Sequence, residues 1–181
     1  MQHFRIWMLG ALLISAAALE ASSATFPGVT ELGSPDGSFV IRYLDQAPGT
    51  QESHEVRLID RRTGRSCWAL TFERSVDVLW SPTGRALAVT DWAGSNLADL
   101  VVILPADACR RVSLPEELAS SLGEAALPKE PNHIYFEAKR WRSADVLEFR
   151  VWGDVGVNSR QEFDQTFEYT LDGKVRRAKT P

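Results

Sequence analysis

The sequence predicts an all-β domain built from about three four-stranded antiparallel meanders and one short helical insertion. Apolar residues fall in short runs, and in many of these runs apolar and polar side chains alternate as in a half-buried strand. The segments Ser34–Gly37 and Ser81–Gly84 both read Ser-Pro-x-Gly, a pattern typical of a tight type I turn between two strands. Only one segment has the pattern of a helix. These observations favour a β-meander architecture.

The strands group into repeat-like units. The two turn tetrads start 47 residues apart, which suits a unit of four short strands. Units are predicted at about residues 29–72, 76–114 and 134–179, and the third has lost its Pro-Gly turn. Asp172-Gly173 predicts a tight hairpin before the last strand. The predicted strands are 39–44, 55–60, 67–72, 76–80, 86–90, 100–104, 109–114, 134–141, 146–152, 163–171 and 174–179.

An insertion at residues 114–131 separates the second unit from the third. Within it, residues 115–122 predict a short helix, because Ser113 offers an N-cap and Pro115 with two glutamates suits a first turn. Gly123 marks the expected end of this helix.

Residues 1–24 have the features of a cleavable secretory signal. Arg5 precedes an apolar run, and Ser22 and Ala24 have the small-x-small spacing that a signal peptidase prefers. The run is shorter than the roughly 20 residues of a membrane-spanning helix, although an uncleaved anchor is the alternative. We expect cleavage near Ala24 and a single all-β domain at residues 25–181, periplasmic or secreted, without stable insertion in a membrane.

Charge and cysteine content restrict the partners and the compartment. The formal net charge of −4 argues against a nucleic-acid partner, because such partners need a basic surface. The chain contains two cysteines, Cys67 and Cys109, and an oxidising compartment favours a disulfide between them. Two separate buried thiols are the alternative, since equivalent outer positions of regularly splayed sheets would be too far apart for a bridge.

The sequence predicts no catalytic residue, no metal site and no cofactor. His54 and His133, the histidines after residue 24, belong to no zinc-binding motif. Ser34 is not a nucleophile on a strand–turn–helix elbow, because no helix follows it. Four acidic residues at predicted loop positions could pair for acid–base chemistry or hold a cation, although solvated carboxylates are the more ordinary interpretation. These are Asp91, Asp99, Asp154 and Glu162.

Long loops at one edge of the predicted sheets form the candidate binding surface. In an antiparallel meander, the loop after the second strand of each unit shares an edge with the links between units, whereas the Ser-Pro-x-Gly turns lie at the opposite edge. Long loops on a rigid sheet are the usual place for binding residues. The surface collects residues 45–54, 91–99, 152–162 and the insertion at 114–131.

Two tryptophans lie on this predicted surface. Trp92 and Trp152 each end a predicted strand at matching positions of their units and open a loop rich in Gly and Asn. Exposed aromatic residues are typical interface anchors, although these two could merely cover the ends of the sheets. Trp80, Trp141 and Trp68 are instead predicted to lie in the core. The candidate partner-binding residues are His54, Trp92, Ser95, Asn96, Trp152, Asp154 and Asn158.

A strand that ends in Trp80, followed by Ser81-Pro82-Thr83-Gly84 and three more strands, resembles the blade repeat of WD40-like propellers of the periplasmic TolB type. Residues 76–114 match best, residues 29–72 less well, and residues 134–179 in strand order only. Closed propellers have about four to eight blades. The resemblance therefore implies blade-like sheets that form an incomplete propeller or a sandwich, or two chains that combine, and we favour an open monomer.

Small exported proteins of this size and strand organisation also resemble one group of immunity proteins. Those proteins lie in the periplasm and block peptidoglycan amidases that type VI secretion delivers. This resemblance implies a non-enzymatic module that binds a protein partner outside the cytoplasm, a cell-wall-degrading enzyme. The alternative function is a periplasmic hydrolase, or a carbohydrate-binding protein, that uses the loop acids and tryptophans.

Overall fold

The computed structural model describes residues 21–45, 54–156 and 161–179, and these contain thirteen strands, one α-helix and one short 3-10 helix. The strands are β1 (Ser23–Phe26), β2 (Glu31–Gly33), β3 (Phe39–Asp45), β4 (His54–Asp60), β5 (Ser66–Phe72), β6 (Val76–Trp80), β7 (Leu87–Asp91), β8 (Leu97–Leu104), β9 (Arg110–Ser113), β10 (His133–Trp141), β11 (Val146–Val155), β12 (Gln161–Thr170) and β13 (Lys174–Arg177). The α-helix, α1, spans Leu114–Leu122, and the 3-10 helix spans Glu124–Ala126. The predicted all-β class with one helical insertion is confirmed.

The described strands form two hydrogen-bonded sheets that do not close into a ring. The first sheet contains β2, β3, β4 and β5 in chain order. The larger sheet has nine strands and holds two further meanders, which we call the second meander (β6–β9) and the third meander (β10–β13). These two meanders meet where the start of β8 pairs in parallel with the start of β10. The three predicted four-stranded units are therefore present, in an open arrangement.

The second meander is the middle of three layers, because side chains on both of its faces are buried. Along β7, Leu87 and Val89 point into one core while Ala88 points into another. The core between the first sheet and the second meander, which we call the first core, includes Ile41, Val56, Leu58, Phe72, Val78, Val89 and Ile103. The core between the second and third meanders, which we call the second core, includes Ala88, Leu100, Val102, Phe136, Leu147, Phe149, Val151 and Phe167.

The predicted core tryptophans lie where expected in two of three cases. Trp80 is completely buried, and Trp141 is buried with its indole N–H donating to the carbonyl of Leu79 at 3.1 Å. Trp68 is only half-buried on β5, at the margin of the first core.

The tight turns of the three meanders lie side by side at one edge of the molecule. In both Ser-Pro-x-Gly turns the glycine N–H donates to the serine carbonyl at 2.9 Å, and the serine hydroxyl accepts a backbone N–H from five residues further on. A Cβ atom on Gly84 would lie 2.6 Å from Oδ1 of Asp36, so the first two turns touch. Arg85 pairs with Asp145 in the turn of the third meander at 2.9 Å. This is the edge that the meander topology predicts for the turns.

A disulfide joins the first sheet to the second meander. Cys67 lies on β5 and Cys109 directly precedes β9, and their Cα atoms are 5.8 Å apart. The predicted pairing is confirmed, and separate free thiols are excluded for these two residues. Since β5 and β9 are the last strands of their units, the two layers approach each other more closely at this side than regularly splayed blades would.

The helical insertion belongs to the second core. α1 packs against β8 and β13 and buries Leu114 and Leu118. Ser113 holds the N-cap position without a side-chain hydrogen bond, and Gly123 ends the helix by donating its N–H to the carbonyl of Ala119 at 2.9 Å. The insertion therefore packs against the sheet and contributes to the core. The sequence pattern placed it on the predicted binding surface and did not predict this structural role.

One strand, β1, begins inside the segment predicted as the secretory signal. Ser23 and Ala24 of β1 pair with Leu79 and Val78 of β6. The predicted cleavage near Ala24 stays a prediction, and residues 1–20 lie outside the described residues.

Candidate functional site

Aromatic and charged side chains cover the outer face of β10, β11 and β12. Side chains alternate between the two faces of a strand, and the inward set, which includes Phe136, Phe149 and Phe167, is buried in the second core. The outward set includes His133, Tyr135, Glu137, Arg150, Trp152, Asp154, Glu162 and Asp164. We call this face the outer sheet surface.

Tyr135 joins the two tryptophans that the sequence singles out. Strand register places Tyr135 opposite Trp152, and their rings stack with centroids 4.2 Å apart and planes at 25°. Trp92 reaches Tyr135 from the loop after β7, with ring centroids 6.3 Å apart. The ring of His133 lies within 7° of parallel to that of Tyr135, at a centroid distance of 6.4 Å. We call Trp92, His133, Tyr135 and Trp152 the aromatic cluster.

Hydrogen bonds hold two members of the cluster in place. The indole N–H of Trp92 donates to Oδ2 of Asp77 at 2.6 Å, and the hydroxyl of Thr25 donates to Oδ1 of the same carboxylate at 2.5 Å. The hydroxyl of Tyr135 donates to the carbonyl of Ser95 at 2.6 Å. Because these rings are already ordered, a ligand that binds them loses less free energy to side-chain immobilisation.

Arg150 extends the cluster with a fixed positive charge. Its guanidinium lies 5.1 Å from the ring centroid of Trp152, within cation–π distance. Nε and Nη2 donate to the two carboxylate oxygens of Asp164 at 2.9 and 2.7 Å. This bidentate contact lowers the pKa of Asp164 and raises the pKa of Arg150. The pair therefore stays ionised over a wide pH range and keeps the guanidinium oriented.

A cavity of about 410 Å³ opens beside the cluster, lined by residues of β10, β11 and β12. On one side of it, Nδ1 of His133 lies 2.9 Å from Oδ2 of Asp154, whose side chain is only 13% exposed. Glu162 stands opposite Asp154 across the strand pair and is exposed. The Arg150–Asp164 pair and the ring of Trp152 contribute to the rest of the wall.

The structure brings together four of the predicted partner-binding residues. Trp92, Ser95, Trp152 and Asp154 lie in or directly beside the aromatic cluster. Asn96 is next to them, and its carbonyl accepts the N–H of Ile134 at 3.0 Å. Their setting differs from the prediction in one respect: β11 continues to Val155, so Trp152 and Asp154 are strand residues rather than loop residues.

Two predicted residues are not part of this site. His54 begins β4 on the first sheet, where its Nδ1 lies 2.7 Å from the hydroxyl of Tyr43 and its ring centroid 5.3 Å from that of Phe72. No ring or hydrogen-bond contact within the described residues connects it to the aromatic cluster. Asn158 lies outside the described residues, as does most of the loop predicted at 45–54.

Sequence reasoning missed Tyr135, His133 and Arg150 as site residues. The pattern that points to them is the alternation of side chains along two strands. His133 and Tyr135 occupy alternate positions on β10. Arg150, Trp152 and Asp154 occupy alternate positions on β11. The pairing register then decides which side chains meet, and register is a non-local property of the two strands.

A second, smaller cavity of about 140 Å³ lies at the margin of the first core. Asp91 and Asp99, predicted as loop acids, are instead opposed strand residues of β7 and β8 here. Nη2 of Arg111 lies 3.6 Å from Oδ2 of Asp99. Burial, together with the charge of Asp99, raises the pKa of Asp91. Trp68 faces this acid pair from the first sheet.

The geometry gives limited support to hydrolytic chemistry. The His133–Asp154 pair could orient a general base, but within the described residues no hydroxyl or thiol group is hydrogen-bonded to His133. The same part of the chain contains no group of three or more His, Cys, Asp or Glu residues arranged to hold a metal ion. No helix in residues 21–45, 54–156 or 161–179 has the length and apolar character needed to cross a membrane.

Comparison with models of known protein families and with curated proteins finds no match to this chain.

Proposed function

We propose that this protein is an exported, non-enzymatic module that binds a partner protein through the aromatic cluster and Arg150. The observation that carries the proposal is the grouping of Trp92, Tyr135, Trp152 and Arg150 on one preorganised, half-buried surface. Trp, Tyr and Arg are the residue types enriched among the anchors of protein interfaces. The protein acts as a monomer in this proposal, and no cofactor takes part.

A location outside the cytoplasm is supported by two features. The Cys67–Cys109 disulfide suits a protein that folds in an oxidising compartment. Residues 1–24 carry the features of a secretory signal. Together with the resemblance to immunity proteins, these features make a periplasmic, peptidoglycan-degrading enzyme the first partner to test.

A protein partner suits the cluster better than a carbohydrate does. A sugar ring stacks on a free face of an aromatic side chain, whereas the ring of Trp152 already contacts both Tyr135 and Arg150. Such a packed patch offers ring edges, a guanidinium and carboxylates, which are groups that pair with the side chains and backbone of another protein.

The proposal is tested by recovering the partner and measuring its affinity for variants. The mature chain serves as bait in a periplasmic extract, and the recovered protein is titrated with Trp152→Ala, Trp92→Ala and the matched control Trp68→Ala. We expect each cluster variant to lose about 2 kcal/mol of binding free energy, roughly thirtyfold in Kd. The Trp68→Ala variant should bind like the parent, because Trp68 is on the first sheet.

Thermal melts of the same proteins separate binding from folding. Trp80→Ala and Trp141→Ala, which empty buried positions, should lower the free energy of unfolding by about 3–5 kcal/mol. The two cluster variants should melt closer to the parent. If Trp92→Ala and Trp152→Ala melt as poorly as the core variants, or if they bind the partner unchanged, the proposed function is wrong.

A further inference from the structure

We propose that the cavity beside the aromatic cluster receives a basic side chain, arginine, of the partner protein; this inference rests on the proposed function, since the partner supplies that side chain. The proposed function gives the location of the binding surface, and this inference adds the chemical group that the surface recognises.

The charges around the cavity leave a net negative surface. Three carboxylates line it, from Asp154, Glu162 and Asp164, against the single guanidinium of Arg150. Asp164 is matched to Arg150 by two hydrogen bonds. The charges of Asp154 and Glu162 therefore face the opening with only His133 as a neighbouring partner in the described residues.

The carboxylates of Asp154 and Glu162 differ in burial and in hydrogen bonding. Oδ2 of Asp154 is bonded to His133, while its buried Oδ1 has no hydrogen-bond partner among the described residues. Glu162 is exposed directly across the strand pair. A cation that enters the cavity gains attraction from both carboxylates, and the partly buried one is screened less by salt.

The carboxylates and the ring edges favour a flat cation over a compact one. Trp152 and Tyr135 line the cavity, and Arg150 already shows that a guanidinium packs on the ring of Trp152 at 5.1 Å. Because Tyr135 and Arg150 already lie against the Trp152 ring, an incoming guanidinium meets ring edges and bonds a carboxylate with two parallel N–H groups, whereas an ammonium group is a strongly hydrated point charge. The volume of about 410 Å³ is ample for an arginine side chain.

The inference is tested with a small probe on the whole mature chain. Nα-acetylarginine N-methylamide is titrated while the indole N–H signals are followed by NMR, with the Trp152 signal assigned from the Trp152→Phe variant. We expect a saturable shift of that signal with Kd on the order of millimolar, the range of a single weakly held group. The neutral isostere Nα-acetylcitrulline N-methylamide should bind at least tenfold more weakly.

Charge-removing variants show whether the carboxylates are responsible. Glu162→Gln and Asp154→Asn should each weaken arginine binding threefold or more, while Glu116→Gln on α1, an exposed matched control, should leave it unchanged. The Glu162 variant changes an exposed side chain, so its result is independent of any loss of stability in the Asp154 variant.

Several results would overturn the inference. They are the absence of any shift of the Trp152 signal, equal binding of the citrulline probe, and a larger response to an N-acetylglucosamine oligosaccharide or to the lysine analogue. If arginine fails to bind but Trp152→Ala still abolishes partner binding, the inference is wrong and the proposed function stands. If arginine binds and Trp152→Ala leaves partner binding intact, the proposed function is wrong and the partner is not the source of the arginine; the preference of the cavity for a guanidinium then stands alone.

Discussion

At the scale of single residues, the approach of two backbones at Gly153 sets the geometry of the outer sheet surface. A Cβ atom there would lie 1.9 Å from the carbonyl oxygen of His133 and 2.7 Å from its carbonyl carbon. Both neighbours are backbone atoms of β10, so they cannot move aside without separating β10 from β11. This strand pair aligns His133 with Asp154 and Tyr135 with Trp152.

The Gly153→Ala variant should therefore be unstable. We expect the free energy of unfolding to fall by about 2–3 kcal/mol, the upper range for overpacking a well-packed site. Gly94→Ala is the matched control, because a Cβ there meets only Asn96, most closely the amide oxygen of its side chain at 3.2 Å. Urea unfolding measures the stability of both variants. A Gly153→Ala protein as stable as the control would show that β10 and β11 can separate enough at this point to admit a methyl group.

The acid pair at the second cavity, Asp91 and Asp99, lowers the free energy of unfolding by an amount that depends on pH. The raised pKa of Asp91 means that the folded state holds the proton more tightly than an unfolded chain with the ordinary value of 3.8. Ionisation of Asp91 therefore disfavours the folded state. The cost is complete at pH above the folded-state pKa, decreases as pH falls through that pKa, and is absent below the ordinary value.

Asp91→Asn should stabilise the protein at neutral pH. Asparagine has a similar shape and cannot ionise, so the substitution removes the electrostatic repulsion between residue 91 and Asp99. Removing a cross-strand pair of like charges stabilises a protein by on the order of 0.5 kcal/mol. The gain in melting temperature should shrink as pH is lowered toward 3.8. Melts over a pH series measure this trend, and a gain that stays constant down to acidic pH would contradict it.

Asp99→Asn provides the comparison for this effect. It removes the same repulsion but also leaves Arg111 without its carboxylate partner. We expect a smaller gain than for Asp91→Asn, or none.

At the scale of elements, alternation and turn chemistry predict most of the meanders. The strands from β6 to β13 were predicted to within a few residues of their observed ends, because each is a short alternating or continuous apolar run and most are bounded by Pro, Gly or Asp. The helix in residues 115–122 was predicted for the same reason: its start and stop signals are local.

Elements and contacts that depend on distant partners were not predictable in this way. β1 is four residues long and is defined by its pairing with β6, more than fifty positions further along the chain. The parallel contact between β8 and β10, which brings Ser95 to Tyr135, has no local pattern either. The sequence therefore predicted Trp92 and Trp152 as candidate binding residues but not the tyrosine that contacts both of them.

The placement of β1 links the position of the predicted signal cleavage to the stability of the folded protein. A product that starts at Thr25 loses the pairing of Ser23 with Leu79 and of Ala24 with Val78, whereas a product that starts at Ser22 keeps both. We expect the longer form to be more stable by about 1 kcal/mol, roughly 2–4 °C in melting temperature. Intact mass of the exported protein should give a start at Thr25 or within a few residues of it. A full-length, membrane-bound product would contradict the predicted processing.

At the scale of the whole molecule, the three layers are joined unequally. The second and third meanders share one hydrogen-bonded sheet as well as a core. Within the described residues, the first sheet has no ladder pairing with the rest and is attached through the first core, the Cys67–Cys109 bridge and the connecting chain. Loss of the disulfide should therefore affect the first sheet more than the other two layers.

The Cys67→Ala/Cys109→Ala variant tests this arrangement. Closing a loop between cysteines 42 positions apart restricts the unfolded chain, and the chain-entropy model gives about 4 kcal/mol for a loop of this length. We expect a loss of stability of that order in urea, and reductant should shift the unfolding of the parent but not of the variant. Hydrogen exchange should show the largest loss of amide protection in β3, β4 and β5, and a smaller loss in β11 and β12. Equal loss of protection in all strands would mean that the layers unfold as one cooperative unit and that the first sheet is not the weakly attached one.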